Sequence, residues 1–292
     1  MNTILQAAIS GILMGGVYAI IAVGLSLIFG VMRIVNFAHG EFLMAGMYAC
    51  YALILFWSID PYISLLIIAP AFFGIGYLFQ KVILNRMLKH EKSREPLSIL
   101  LFTAGFGMFL SNLALMLFGA NPLSANSKYN GKTFEIGGLI VSEPRLYAFL
   151  ISGVCTICLY LFLYKSETGR ALRATSQNRD TAKLMGININ RIYCIAFGLG
   201  IGLVSIASVV LVPFYYIFPT VGSVFSLRSF VIVVLGGMGS VPGALLGGLL
   251  IGIVEAIGGQ FLTPSYAEIL VFIIFLAVLL FKPSGLLSNE KS

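Results

Sequence analysis

Long uncharged runs alternate with short polar segments along this chain. An α-helix rises about 1.5 Å per residue, so about 20 apolar residues cross the roughly 30 Å hydrocarbon layer of a membrane. The runs at about 4–29, 38–57, 61–82, 97–118, 146–164 and 192–212 reach that length. Two interrupted runs follow near 224–240 and 243–260, then one at 267–281. The pattern predicts an all-α polytopic membrane protein, a single domain over 1–292, with eight or nine transmembrane helices, some broken or re-entrant. Pro61, Pro96, Pro144, Pro213, Pro219, Pro264 and Pro283 stand mainly at run ends. Pro213 and Pro219 divide the uncharged stretch Ile192–Leu227, which is too long for one span.

Composition agrees. Of 292 residues 59% are hydrophobic, 32 are glycine and only 10% are charged, against about 45–50% apolar and 25% charged in a soluble domain. One globular core cannot hide so much apolar surface, which excludes a soluble enzyme, a nucleic-acid binder or a disordered tail. The net charge of +7 implies no nucleic-acid partner, because the basic residues concentrate in two loops. Lys81, Arg86, Lys89, Lys92 and Arg94 form one cluster; Lys165, Arg170, Arg173, Arg179, Lys183 and Arg191 form the other. Both are expected in the cytoplasm. The turns at Asp60 and Thr263 and the loop 120–145 are then expected outside, with the N-terminus outside and Lys282 and Lys291 inside. Ile4–Met32 lacks charge and a basic leader, so it reads as a retained span. Cys50, Cys155, Cys158 and Cys194 lie in apolar runs and read as small buried packing residues; Cys155 and Cys158 have no second pair to complete a zinc site.

Glycines at helical spacing (Gly11, Gly15, Gly16; Gly198, Gly200, Gly202; Gly243, Gly247, Gly248, Gly252) read as places where helices approach closely. In the 120–145 loop, Asn130–Gly131 suggests a tight turn and Thr133–Val141 short strands. Gly131-Lys132-Thr133 is not a phosphate-binding loop, since Asn126 stands where its first glycine belongs.

Three segments carry polar chemistry. Val31–Glu41 places Arg33, Asn36, His39 and Glu41 between apolar runs. It reads either as a cytoplasmic turn or as a broken span whose freed backbone lines a cavity. Ser166–Asn190 mixes small apolar and basic residues, with Asn178 able to cap a helix near Arg179 and Gly186 able to end it. Docking on a soluble partner and a bare topological signal are both open. Leu235–Gly248 contains Gly236, Gly237, Gly239 and Pro242, which argue against one continuous helix. A tight interhelical turn and a discontinuous element beside a pathway both fit. Glu255 follows in mid-span, with Arg228 opening the segment before.

In these segments the chain resembles the permease subunit of bacterial ABC importers for branched-chain amino acids. The matching stretches are Asn36-Phe37-Ala38-His39-Gly40-Glu41, Gly169-Arg170-Ala171-Leu172-Arg173-Ala174, and Leu184-Met185-Gly186-Ile187-Asn188. Leu235 to Ala244, Gly252-Ile253-Val254-Glu255-Ala256 and Lys282 to Leu287 also match. The resemblance spans about 8–287. It implies a bacterial inner-membrane permease paired with a related permease subunit, two cytoplasmic ATP-binding subunits and a periplasmic substrate-binding protein. It implies no cofactor in this chain, ATP and Mg²⁺ being used by the partners. It also implies a cytoplasmic coupling loop at about 165–191, with Gly169, Arg170, Arg173, Ala174, Asp180, Leu184, Gly186 and Ile187 as its residues. Asn36, His39, Glu41, Gly236, Gly237, Gly239 and Glu255 are the expected substrate-pathway residues. Related carriers of amides, urea, aromatic acids or other amino acids are the alternative substrates, and a stand-alone secondary transporter is the alternative mechanism. An intramembrane enzyme has no Ser/His, paired-Asp or His-x-x-x-His arrangement to rest on.

Overall fold

The computed structural model describes residues 2–90, 97–125, 127–136, 138–261, 264–282 and 285–287. Lys92, Arg94, Pro96, Asn126, Thr263, Pro283 and Lys291 therefore lie outside the described residues, and with them part of the first basic cluster. The helices are α1 (Asn2–Met32), α2 (His39–Trp57), α3 (Pro61–Phe79), α4 (Asn85–His90), α5 (Leu97–Phe118) and α6 (Glu143–Lys165). They continue as α7 (Glu167–Gln177), α8 (Arg179–Leu184), α9 (Ile189–Leu211), α10 (Val221–Gly236), α11 (Val241–Phe261) and α12 (Pro264–Phe281). A π-turn at Gln80–Leu84 joins α3 to α4. Seven helices are long and apolar enough to cross a membrane; α10 and α12 are shorter apolar helices. With those two the expected nine-run pattern is present, and the two Pro-bounded ends at Leu211 and Val221 fall where the prolines indicated.

Helices α1 and α9 form the interior. In each, 83% of the apolar window is buried, against 22–28% for α3, α5 and α6. The outer helices turn Leu66, Met108, Met116 and Phe281 outward. Packing in the centre rests on small residues, because between helices in lipid close van der Waals contact replaces the hydrophobic drive. A Cβ on Gly15 would lie 2.9 Å from Leu249 Cα, and one on Gly11 2.7 Å from the Gly252 carbonyl oxygen. Gly24 and Gly200 bring α1 and α9 together in the same way. Cys50 and Cys194 are buried, as expected, but Cys155 is half-buried and Cys158 exposed. A thiol is apolar enough to face acyl chains, so burial is not required of it there.

The two ends of the bundle differ. At one, strands β1 (Thr133–Ile136) and β2 (Leu139–Ser142) pair antiparallel, Thr133 opposite Ser142. The expected turn at Asn130–Gly131 precedes β1, with Gly131 at φ 72°. Gln6 near the start of α1 exchanges hydrogen bonds with the backbone of Ile140. Asp60, in the turn between α2 and α3, meets Lys128 Nζ at 2.8 Å and accepts from the Tyr62 N–H and Tyr129 hydroxyl. Partial burial pushes the Asp60 carboxyl upward, but those three donors outweigh it and hold it below the usual carboxylate range.

The opposite end carries the second basic cluster. Ser166 caps α7 by accepting from Gly169 N–H at 2.9 Å. Asn178 Oδ1 accepts from Asp180 and Thr181 N–H, both at 3.0 Å, and starts α8; Gly186, at φ 84°, follows its end. The capping expected at Asn178 and Gly186 is thus present, and α7, a second helix, precedes it. The chain terminus returns here too, with Leu286 N–H donating to Leu235 O at 2.9 Å. The N-terminal region and hairpin therefore share one end, the basic loop and C-terminal region the other, as the charge pattern required.

Replacing Gly252 by leucine is expected to destabilise the protein by at least the about 1–3 kcal/mol typical of overpacking. The same change at Gly153, where an added Cβ would have no neighbour within 4 Å, should be close to neutral. Thermal unfolding of the detergent-purified variants would show this; equal midpoints would refute the α1–α11 packing.

Candidate functional site

Lipid offers no hydrogen bonds to a freed backbone, so a break inside the layer must be satisfied by protein. The first break follows α1, where Arg33 takes φ 54° and reverses the chain. Residues 33–38 then climb back along α1, for the His39 ring reaches the Ile21 carbonyl oxygen at 3.1 Å. Between Ile21 and Met32 the helix rises about 16 Å, so α2 begins well back along α1, as a broken span requires and a turn beyond the end of α1 does not. A carbonyl only accepts, so Nε2 of His39 carries the proton, and Nδ1 has no partner among the described residues. Asn36 organises the return. Its Oδ1 accepts from Ala38 N–H at 3.1 Å and its backbone oxygen from His39 N–H at 3.3 Å.

A second break, 212–220, mirrors the first. Isolated pairing of Leu123 with Ile217 and a 2.7 Å bond from Ser111 hydroxyl to Pro219 O support it. Helix α10 then starts against the start of α2. Gly40 N–H donates to Ser226 Oγ at 2.9 Å, and Gly40 and Gly222 are in backbone contact. The two helices run apart from this junction, α2 toward the hairpin end and α10 toward the basic end. Glu41, in the first turn of α2, lies between Gly107 of α5 and Gly222 of α10. A Cβ at Gly107 would stand 3.2 Å from Glu41 Cγ, and one at Gly222 2.6 Å from Glu41 Cδ. Both glycines are the space the carboxyl group occupies. Its residue is 7% exposed, and Oε2 is buried without a partner among the described residues.

Three further groupings lie elsewhere. Arg228 of α10 meets Glu255 of α11 at 2.7 Å and Glu268 of α12 at 3.0 Å, with its guanidinium 5.5 Å from the centre of the Tyr18 ring. Gly236 and Gly243 touch across the α10–α11 turn, where Gly237 and Gly239 have φ 101° and 88°. A cavity of about 160 Å³ beneath that turn is lined by Gly30, Tyr164, Arg173, Gly239 and Pro242. The basic loop closes it: Arg173 Nε donates to Leu163 O at 3.1 Å and its guanidinium lies 4.2 Å from the Tyr164 ring centre.

The seven expected pathway residues thus fall in three places. Asn36, His39 and Glu41 stand together at the start of α2; Gly236, Gly237 and Gly239 form a tight turn at the basic end; Glu255 belongs to the ion cluster. In the expected coupling loop, Arg170, Asp180, Leu184 and Gly186 are exposed, Gly169 is buried against α6, and Arg173, Ala174 and Ile187 are partly buried. Gly107, Gly222, Ser226 and Glu268 were not singled out by the sequence. For Glu268 a signal existed, a carboxylate within an apolar run; the glycines resemble any packing glycine until the helices are placed.

This fold is that of a polytopic membrane permease: long spans around two buried ones, interrupted helices meeting inside the layer, and a capped amphipathic loop at one end. Residues 7–279 match the family described as branched-chain amino acid transport system / permease component, and the chain belongs to that family. It is 32% identical to the high-affinity branched-chain amino acid transport system permease protein BraD of Pseudomonas aeruginosa, over 98% of this chain and 96% of that one. It is 30% identical to the permease protein LivH of the corresponding system of Escherichia coli K12, with the same coverages. A probable LivH of Methanocaldococcus jannaschii is 27% identical over 94% of this chain and 90% of that one. No solved structure matches the chain.

Breaking a buried ion pair by removing one partner costs about 3–5 kcal/mol, and the partial exposure of this cluster puts Arg228→Met toward the lower end. The double variant Arg228→Met/Glu255→Met should recover most of the loss. Unfolding midpoints of the two proteins test it, and a double variant no more stable than the single would contradict the pairing.

Proposed function

We propose that this chain is the membrane subunit of an ATP-driven importer in the bacterial inner membrane, with branched-chain amino acids as its substrates. It pairs with a second, related permease subunit. Two ATP-binding subunits dock on the α7–α8 end and hydrolyse ATP with Mg²⁺; a periplasmic substrate-binding protein docks at the hairpin end. The chain supplies the pathway and no catalysis. The substrate class follows the relatives named above.

The observation that carries this reading is the α7–α8 loop. Its inner face is tied to the spans through Leu172, Arg173 and Gly169, and Leu172 is fully buried. Its far tip presents Leu184 and Met185, 87% and 79% exposed, outside the apolar spans. A pair of exposed apolar side chains on a rigidly anchored loop is the form of a docking knob, and force applied there reaches α1 and α6 directly. Alternating access then proceeds by relative movement of the spans about the α2–α10 junction.

The test is uptake of labelled leucine into vesicles holding the full complex. Leu184→Asp/Met185→Asp should cut uptake about tenfold or more, the effect of losing an interface hot spot of at least about 1.4 kcal/mol, while the chain still inserts. Undiminished uptake with the ATP-binding subunits omitted would reject the ATP-driven mechanism in favour of a secondary transporter.

A further inference from the structure

Beyond the transport reading, on which it rests, the junction of α2 and α10 has features that membership of a permease family leaves unexplained. Glu41 is a carboxylate in the interior of the layer, where an unpaired charge is costly and commonly marks a functional site. Arg228, the cation of α10, is taken by Glu255 and Glu268, and no ion pair to Glu41 exists among the described residues. What faces Glu41 is the first turn of α10. Thr220 stands at its N-cap without a side-chain hydrogen bond, and Val221 N–H donates to Phe218 O. No acceptor meets the N–H groups of Gly222 or Ser223 among the described residues. In the first turn of α2, two of the N–H groups have acceptors from outside the helix: the Asn36 backbone oxygen takes His39 N–H, and Ser226 takes Gly40 N–H.

The unpartnered Glu41 oxygen therefore packs on Gly222, in the turn that carries those open N–H groups, at the meeting of two helix N-termini. Helix N-termini favour anions, and a buried carboxylate oxygen favours a cation with protons to donate. One ligand meets both needs, a group bearing an ammonium and a carboxylate a few ångströms apart. We propose that Glu41 and the open first turn of α10 form a zwitterion subsite on the transport path. Glu41 receives the α-ammonium group of an amino acid, and the N–H groups of Gly222 and Ser223 receive its α-carboxylate. Gly107 and Gly222 let the Glu41 side chain reach the first turn of α10. The junction lies under the exposed Phe37 and Ser223, so a small displacement of α5 or α10 opens it.

The complete complex in vesicles provides the test. Loss of one charge-assisted hydrogen bond, about 1.5–3 kcal/mol, corresponds to roughly ten- to hundredfold in affinity. Glu41→Gln should lower leucine uptake by about that factor, while ATP hydrolysis stimulated by the loaded binding protein persists and Glu41→Asp recovers part of the uptake. Uptake by Glu41→Gln within twofold of the unaltered complex, or an equal loss of stimulated hydrolysis, would overturn the subsite. Neither result touches the transport reading, which stands on uptake by the unaltered complex. That complex also gives an independent measurement without substitution. Leucine, and to a lesser degree leucinamide, should slow modification of Glu41 by dicyclohexylcarbodiimide; 4-methylpentanoate, which lacks the ammonium group, should not. Equal modification with and without leucine, or protection by 4-methylpentanoate as strong as by leucine, would overturn it.

Discussion

The structure depends on how a helix can be interrupted where there is no water. A break exposes several backbone donors and acceptors, and each one left unsatisfied in hydrocarbon costs several kcal/mol. Here two breaks satisfy one another. The return segment 33–38 is held by Asn36, by the His39 ring on α1 and by Thr103 of α5, whose hydroxyl oxygen accepts from Phe37 N–H at 3.3 Å. The segment 212–220 is held by Ser111 and Leu123. Ser226 of α10 then caps α2. Residues from α1, α2, α5 and α10 and from two connecting segments are needed to hold the starts of α2 and α10, and this requirement brings α2, α5 and α10 together.

The same constraint sorts the polar residues by task. Those that repair backbone, such as Thr103, Ser111 and Ser226, have their partners, as does Asn36 through Oδ1, though its Nδ2 is buried with no partner among the described residues. The intramembrane charges divide differently. Arg228 and Glu255 neutralise each other between α10 and α11, with Glu268 joining from α12, so they join three neighbouring helices. Glu41 has glycines around it in place of a cation. A carboxylate enclosed by residues without side chains is shaped for something that arrives and leaves.

Much of this was legible in the residues and some was not, for definable reasons. Span positions follow from run length against a layer of fixed thickness. The helix starts at Ser166 and Asn178 follow from local capping chemistry, which needs only a few neighbouring residues. Burial of Cys158 did not follow, because an apolar residue in an apolar run is equally at home facing lipid. The expected pathway residues came from separate segments, and the fold keeps them apart: Gly236–Gly239 form a tight turn at the basic end, far along α10 from Glu41. Sequence spacing carries no information about which breaks meet in space.

What the chain by itself determined is the number and order of apolar runs, the placement of their breaks, which loops share an end of the bundle and the family motifs. These arise from local properties: hydrophobicity, charge, proline and capping. Only the tertiary structure decided that the break after α1 climbs back to Ile21, that α10 begins against α2, and that Gly107 and Gly222 enclose Glu41. Those relations depend on close contact between helices more than a hundred residues apart. In lipid such contact is selected by shape and hydrogen-bond satisfaction summed over the whole bundle, and no single segment contains that sum.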